Sequence, residues 1–214
     1  MSVFSGFDEA DFEVFSIPGL DSRMNALKAR TRPKLEELGR HFSAFLSPRV
    51  QEQMYAHVAK HARRTVNPPD DTWVAFSANA RGYKQHPHFQ IGLWSTHVFI
   101  TFGYIYEATG KAAYGAYLER LAEDIVKWMP DDFVYIPDHT SRECVPSSEV
   151  SAGELRTFGQ RLQTYKGAEL LVGRRIERDD AVRMSGQALI DTAEQTFEAL
   201  IPLYREATVS GQVR

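Results

Sequence analysis

The sequence predicts an α+β fold: one domain over residues 1–214, a two-layer sandwich with helices packed on a mainly antiparallel sheet of about five strands. Three observations carry this. Apolar residues recur at helical spacing over residues 20–46 and again in the last third of the chain. The period falls to two between Thr72 and Tyr106, where three strand-like runs follow one another closely, as antiparallel neighbours do. No Pro-, Gly- or Ser-rich linker divides the 214 residues.

The elements follow in order. Asp8 to Ile17 suits either a strand or a helical turn, and Pro18-Gly19 ends it. Leu20, Met24, Leu27, Leu35, Leu38, Phe42 and Phe45 mark a helix to Leu46 that Pro33 must kink or restart, because proline removes an amide donor. Pro48 opens a predicted second helix, with Val50, Met54, His57, Val58 and His61 on one face, and Asn67-Pro68-Pro69 stops it. Thr72 to Ser77 reads as a strand. His88 to Trp94 and His97 to Tyr106 read as two more, joined by a two-residue turn at Ser95-Thr96. Lys111 to Trp128 reads as a helix, Asp132 to Ile136 as a short strand, and Ser151 to Tyr165 as a helix opened by the capping-box pair Ser151 and Glu154. Ala168 to Ile176 is a strand. Asp179 or Asp180 caps a last helix to about Tyr204, with Val182, Leu189, Ala193, Phe197 and Leu200 inward.

Composition excludes several function classes. A net charge of -3 and 43% hydrophobic residues describe an ordinary globular chain. A single cysteine, Cys144, rules out an internal disulfide framework and a four-cysteine zinc site. The acidic N-terminus does not read as a secretory signal. The uncharged run from Gln85 to Tyr106 is long enough to cross a bilayer, but its alternation and its histidines read as buried strands. A cytoplasmic protein without a membrane segment is the expectation. G-x-S-x-G, G-x-G-x-x-G and G-x-x-x-x-G-K-[ST] do not occur, so the esterase elbow and the common nucleotide loops have no support.

The charge is unevenly spread. Residues 57–88 hold Lys60, Arg63, Arg64, Arg81 and Lys84 against Asp70 and Asp71, a net +3 on an acidic chain, together with four of the seven histidines. Such a patch suits an anionic partner, although a solvated helix end and a basic loop have the same composition. The hairpin sharpens the reading. A two-residue turn sets Gly92 opposite Phe99, Gln90 opposite Thr101 and His88 opposite Gly103. One face then carries His88, Gln90, Gly92, Trp94, His97, Phe99, Thr101 and Gly103, and the other an all-apolar set from Phe89 to Tyr104. The first face can floor a pocket, with Trp94 and Phe99 as walls, or can lie covered by helix side chains. A slip of one residue would exchange the two faces.

The candidate ligand-binding residues are therefore Lys60, Arg63, Arg64, Arg81, Lys84, His88, Gln90, Trp94, His97 and Thr101, with Tyr83 as a further stacking group. The function they favour is binding of an anionic small molecule (a nucleotide or phosphorylated metabolite) or RNA. One alternative is an enzyme acting on an activated carboxylate or phosphate ester, with His88 or His97 as acid/base. Another is a protein-interaction module. No metal is assigned: His57 and His61 are four apart but lack the Glu of the zinc-protease pattern, and His86 and His88 merely flank Pro87. Cys144 has His139 and Arg142 close in sequence, which permits but does not establish a nucleophile. Gly173-Arg174-Arg175 with Asp179-Asp180 reads as a surface ion-pair cluster, or as an extension of the basic patch. Cofactor, oligomeric state and reaction are not readable.

The stretches DFEVFSIPGL (11–20), RPKLEELG (32–39), HVAKHARRTVNPPDDTWVAF (57–76), RGYKQHPHFQIGLWSTHVF (81–99), ELLVGRRIERDDA and EQTFEALIPLY resemble the YktB-like proteins of Gram-positive bacteria, a family with a domain of unknown function. The resemblance spans nearly the whole chain. It implies a two-layer α/β fold, its sheet loosely like those of biotin-protein ligase and class II synthetase cores. It implies no activity and no catalytic residues.

Overall fold

One continuous antiparallel sheet of seven strands organises the computed structural model, which describes residues 4–212. The strands are β1 (Tyr55–Val58), β2 (Asp71–Ser77), β3 (His88–Trp94), β4 (His97–Tyr104), β5 (Phe133–Ile136), β6 (Val145–Pro146) and β7 (Leu170–Glu177). Their spatial order is β1-β2-β3-β4-β7-β5-β6. The helices are α1 (Glu9–Glu13), α2 (Leu20–Ala26), α3 (Arg32–Val50), α4 (Lys111–Arg120), α5 (Ala122–Trp128), α6 (Ala152–Thr164), α7 (Arg178–Arg183) and α8 (Gly186–Gln212). The α+β class and the antiparallel sheet are as the sequence predicts, with seven strands in place of about five.

The hairpin register is also the predicted one: Gly92 pairs with Phe99, Gln90 with Thr101 and His88 with Gly103. Alternation then separates two faces. Phe76, Phe89, Ile91, Ile100 and Phe102 lie fully buried on one of them, beneath the helices. There Phe197 of α8 meets Phe42 of α3, Phe76 and Phe89 edge to face, with centroids 5.0–6.1 Å apart. Tyr114 of α4 meets Phe102 edge to face and Tyr104 at a tilt, and Phe158 of α6 stacks against Tyr135, so these helices cover the same face. The opposite face carries loops rather than helices, and the cleft described below opens there.

The sequence reading fails instructively in one place. The helix predicted from Pro48 does not form. Instead α3 runs through Pro48 to Val50, and Gln51, at φ 60°, ends it in the left-handed region. Residues 55–58 then become the edge strand β1, paired with β2. Met54 and Val58 satisfy a helical spacing of four, but that spacing is also two strand periods. Pairing with β2 turns Ala56 and Val58 toward α3, where Ala56 Cβ stands 3.1 Å from the position of a Cβ on Gly39. His57 and His61 consequently share no helix face. The His57 ring bonds the Asn79 carbonyl at 2.9 Å, and His61 bonds Thr72 Oγ1 at 3.3 Å.

Smaller differences have local causes. Pro33 enters the first turn of α3 after a π turn at Leu27–Thr31, so the lost amide costs no helical bond. Leu121 breaks the predicted helix from Lys111 into α4 and α5. The last helix divides as well: α7 ends at Met184, and Ser185 Oγ accepts the Ala188 amide to start α8. The Ser151–Glu154 capping box is present on α6. Among the described residues, no helix is long and apolar enough to cross a membrane.

Candidate functional site

Strands β2, β3, β4 and β7 floor a cleft of about 690 Å³, the open solvent at its mouth included, on the face away from the helices. Strand pairing explains its composition. Trp73, Gly92, Phe99 and Arg175 lie in one row across the four strands, and Gln90, Thr101 and Gly173 in the next. Paired residues project to the same side; the Phe99 ring lies over Gly92 and the β4 backbone closes on Gly173, so neither position has room for a side chain. Asp71 and Arg175 stand on the outer strands of this floor, three strand spacings or about 14 Å apart across the sheet and two residues apart along it. The walls come from two loops. Residues 78–87 bring Tyr83 and Lys84, and residues 137–144 bring His139, Ser141, Arg142, Glu143 and Cys144.

The floor is apolar with a few placed polar groups. Trp73 Nε1 donates to Tyr83 Oη at 2.8 Å, which locks those two rings. The Arg142 guanidinium lies 5.3 Å from the Trp94 ring centroid, a cation–π arrangement. Arg175 binds Glu177 at 2.7 Å and donates to the Arg142 carbonyl at 2.8 Å, so it anchors the loop that carries Arg142. His97, buried between them, bonds Thr96 through Nδ1 at 2.8 Å. Burial, with Arg175 and Arg142 nearby, pushes its imidazole down to about 3, so it is neutral at physiological pH. Thr101 Oγ1 is fully buried and has no hydrogen-bond partner among the described residues.

Asp71 and Glu143 are the acidic residues of the lining, and Glu169 stands behind His139. Asp71 has no side-chain hydrogen-bond or ion-pair partner among the described residues, and burial pushes its carboxyl up to about 6 against the pull of Arg64, of its own amide and of His139 whenever that ring is protonated. Glu169, buried at the start of β7, accepts the amides of Tyr106 and His139 and the Nδ1 of the His139 ring. Asp138, His139 and Glu169 have potential ligand atoms within 4.8 Å of one another. Glu169 takes three N–H donors and Asp138 Oδ1 takes two donors from Thr140, so hydrogen bonds already occupy both Glu169 oxygens and one of the Asp138 oxygens.

The residues singled out from sequence fall into three groups. Lys84, Gln90, Trp94, His97 and Thr101 line the cleft. Lys60, Arg63 and Arg64 line a shallower depression beside it, which shares Trp73, Tyr83 and Lys84. Part of the charge there is compensated: Lys84 bonds Glu107 at 2.6 Å, and Arg63 lies 3.9 Å from the same carboxylate. His88 and Arg81 join neither. His88 is fully buried, donating through Nδ1 to the His86 carbonyl and accepting Gln90 Nε2 through Nε2, both at 2.8 Å. With both nitrogens engaged, it orients Gln90 and has none left for a ligand. Arg81 is exposed, and its amide bonds the Asn79 side chain.

Sequence reasoning left Asp71, Trp73 and Glu169 out of the site and treated His139, Arg142, Cys144 and Arg175 as separate minor candidates. A signal existed for Arg175, which follows Gly173 with the alternation of Thr101 and Phe99. None existed for the irregular 137–144 loop. Cys144 lines the cleft with its Sγ 3.8 Å from Arg175 Nη1.

Residues 7–204 match the model of a domain of unknown function, DUF1054. The chain is 51% identical over 199 residues to a UPF0637 protein of Bacillus cytotoxicus, covering 92% of this chain and 95% of the relative. It is 48% identical over 198 residues to one of Bacillus velezensis, covering 92% and 94%. A third, of Bacillus licheniformis, is 47% identical over 199 residues, covering 93% and 94%. These matches bear out the family resemblance read from the quoted stretches, and the chain belongs to the DUF1054/UPF0637 family.

Proposed function

We propose that the cleft is a small-molecule binding site for a planar anion, such as a nucleotide or a phosphorylated aromatic metabolite, in a cytoplasmic protein. The observation that carries this reading is the Thr101 hydroxyl, buried without a partner on a floor between aromatic rings. An unpaired buried hydroxyl costs roughly 1–3 kcal/mol, a cost that a hydrogen-bonding ligand removes. Trp73, Trp94 and Phe99 offer ring faces and edges for a flat molecule. Arg142, which has no ion-pair partner among the described residues, supplies positive charge that favours an anion over a neutral ring, and Arg175, paired with Glu177, anchors its loop. The cleft suits a small ligand better than a nucleic-acid strand, because the outward cations Lys60, Arg63 and Arg64 lie in the neighbouring depression.

The test is a titration with phenyl phosphate followed by tryptophan fluorescence, since two of the three tryptophans line the cleft. Saturable quenching, weakened about ten-fold or more by Arg142→Leu, is the expected result. A steeply salt-dependent affinity for RNA oligonucleotides with no response to phenyl phosphate defeats the reading.

Asp71 favours a second reading, an enzyme that moves a proton at the bound anion. A carboxyl without a side-chain partner, pushed up to about 6 inside a cleft, is suited to exchange protons near neutral pH. In that case Asp71→Asn abolishes turnover while leaving phenyl phosphate affinity within about two-fold.

A further inference from the structure

We infer that His139 Nε2 is a hydrogen-bond acceptor of the cleft, held so by Glu169, and that the ligand is a planar anion carrying its own O–H or N–H donor. This inference rests on the anion-binding reading and narrows its ligand class. Three observations support it.

The first is the state of the ring. His139 Nδ1 lies 2.8 Å and 2.9 Å from the two oxygens of Glu169. Those oxygens also receive the backbone amides of Tyr106 and His139, at 2.9 Å and 2.6 Å. A carboxylate surrounded by N–H groups can only accept, so the hydrogen of a neutral His139 sits on Nδ1 and the lone pair on Nε2.

The second is placement. His139 lines the cleft and Glu169 does not, so the ring presents the side away from Glu169 to the ligand space. Nε2 has no hydrogen-bond partner among the described residues. Glu169 is 8% exposed, and its two backbone partners fix the carboxylate plane, so the ring is oriented before any ligand arrives.

The third is the rest of the lining. Lys84, Arg142 and Arg175 donate, while the Asp71 and Glu143 carboxylates and His139 Nε2 accept. A molecule bearing only a negative charge would leave these acceptors unpaired, whereas one that also carries a hydroxyl or ring N–H satisfies both sets. Sites that pair a buried acceptor with a ligand donor discriminate strongly against the analogue that lacks the donor.

Two measurements test the inference. The long-range nitrogen–proton spectrum of the imidazoles at about pH 8 is expected to show His139 as the Nδ1–H tautomer, the less common form of a neutral histidine. An Nε2–H assignment overturns the inference while leaving the anion site standing. The second measurement compares 4-hydroxyphenyl phosphate with 4-methoxyphenyl phosphate, in which a methyl ether replaces the donor; the His139→Phe ratio separates the donor's loss from the added methyl. The hydroxyl compound is expected to bind about ten-fold tighter to the natural protein, with the ratio falling below about two-fold in His139→Phe. Equal affinities overturn the acceptor role alone. No binding of either overturns the anion site and this inference together. Should His139→Phe fail to fold, the tautomer and the natural protein's ratio each decide the matter.

Discussion

The Phe99 ring occupies the space above Gly92. A Cβ at residue 92 would stand 2.3 Å from Phe99 Cζ, 2.6 Å from the Thr72 carbonyl and 2.6 Å from Trp73 Cβ. The glycine is thus what lets a phenylalanine lie down on the cleft floor between two tryptophans. Gly92→Ala is expected to lift the Phe99 ring into the ligand space and to cost about 1–3 kcal/mol of stability, because the other two neighbours cannot move aside. Urea unfolding and a phenyl phosphate titration check it. Unchanged stability together with unchanged affinity contradicts this account of the floor.

Acid should destabilise the protein through its buried imidazoles. Burial pushes His88 and His61 down to about 4 and His97 to about 3. Each of these groups stays neutral in the folded state at pH values where the unfolded chain, titrating near 6.5, already binds a proton. Their contribution is complete above about pH 6.5 and is lost as the pH falls toward 4, by up to about 1.4 kcal/mol per unit for a fully buried group such as His88. Unfolding free energies at about pH 7 and pH 5 should differ accordingly, and His88→Gln should flatten the slope. A flat profile in the natural protein refutes the account.

Asp71 acts with the opposite sign. Its carboxyl titrates near 6 in the folded protein against 3.8 for the free group, so folding favours the protonated form. The stability gained from protonation is present at low pH and is lost as the pH rises through 6. Asp71→Asn should therefore raise stability at about pH 8, by about 1–2 kcal/mol, and change it little near pH 4. Thermal melts at the two values provide the check. A variant that is less stable at about pH 8 would mean that the carboxylate has a partner.

The N-terminal helix hangs on a buried charge. Asp11 is fully buried, its Oδ2 capping the Asp8 amide at 2.9 Å and pairing with Lys34, while Arg30 lies 3.8 Å from Oδ1. Lys34→Met removes the principal counter-charge and should cost about 3–5 kcal/mol. The double change Asp11→Asn with Lys34→Met should recover much of that loss, because no ion is then left buried. If the double variant is no more stable than the single one, the pair itself supplies the stability.

How far the sequence reached is clearest at the hairpin. Ser95-Thr96 leaves two residues between strands, and a two-residue turn determines which side chains face each other. The partners of His88, Gln90 and Gly92 were therefore readable before any coordinates. The same reasoning failed for residues 48–61. Val50, Met54 and Val58 satisfy a period of four, which a helix and a strand both permit, and only the availability of β2 as a pairing edge decides between them. It also overreached with the cations. Lys60, Arg63 and Arg64 stand near Lys84 in sequence and in space, yet the charge in the main cleft comes chiefly from Arg142 and Arg175.

From its residues alone, this chain specified an antiparallel α+β fold, the register of its central hairpin and the chemical character of each hairpin face. All of these follow from neighbours a few positions apart, whose alternation is a local property. Only the tertiary structure brought Arg175 beside Phe99, set His139 against Glu169 and left Asp71 without a counter-ion. Those placements depend on β7 crossing back to pair with β4 and on an irregular loop folding over the sheet. Such non-local pairings are chosen by the packing energy of the whole sheet, which no short window of sequence contains.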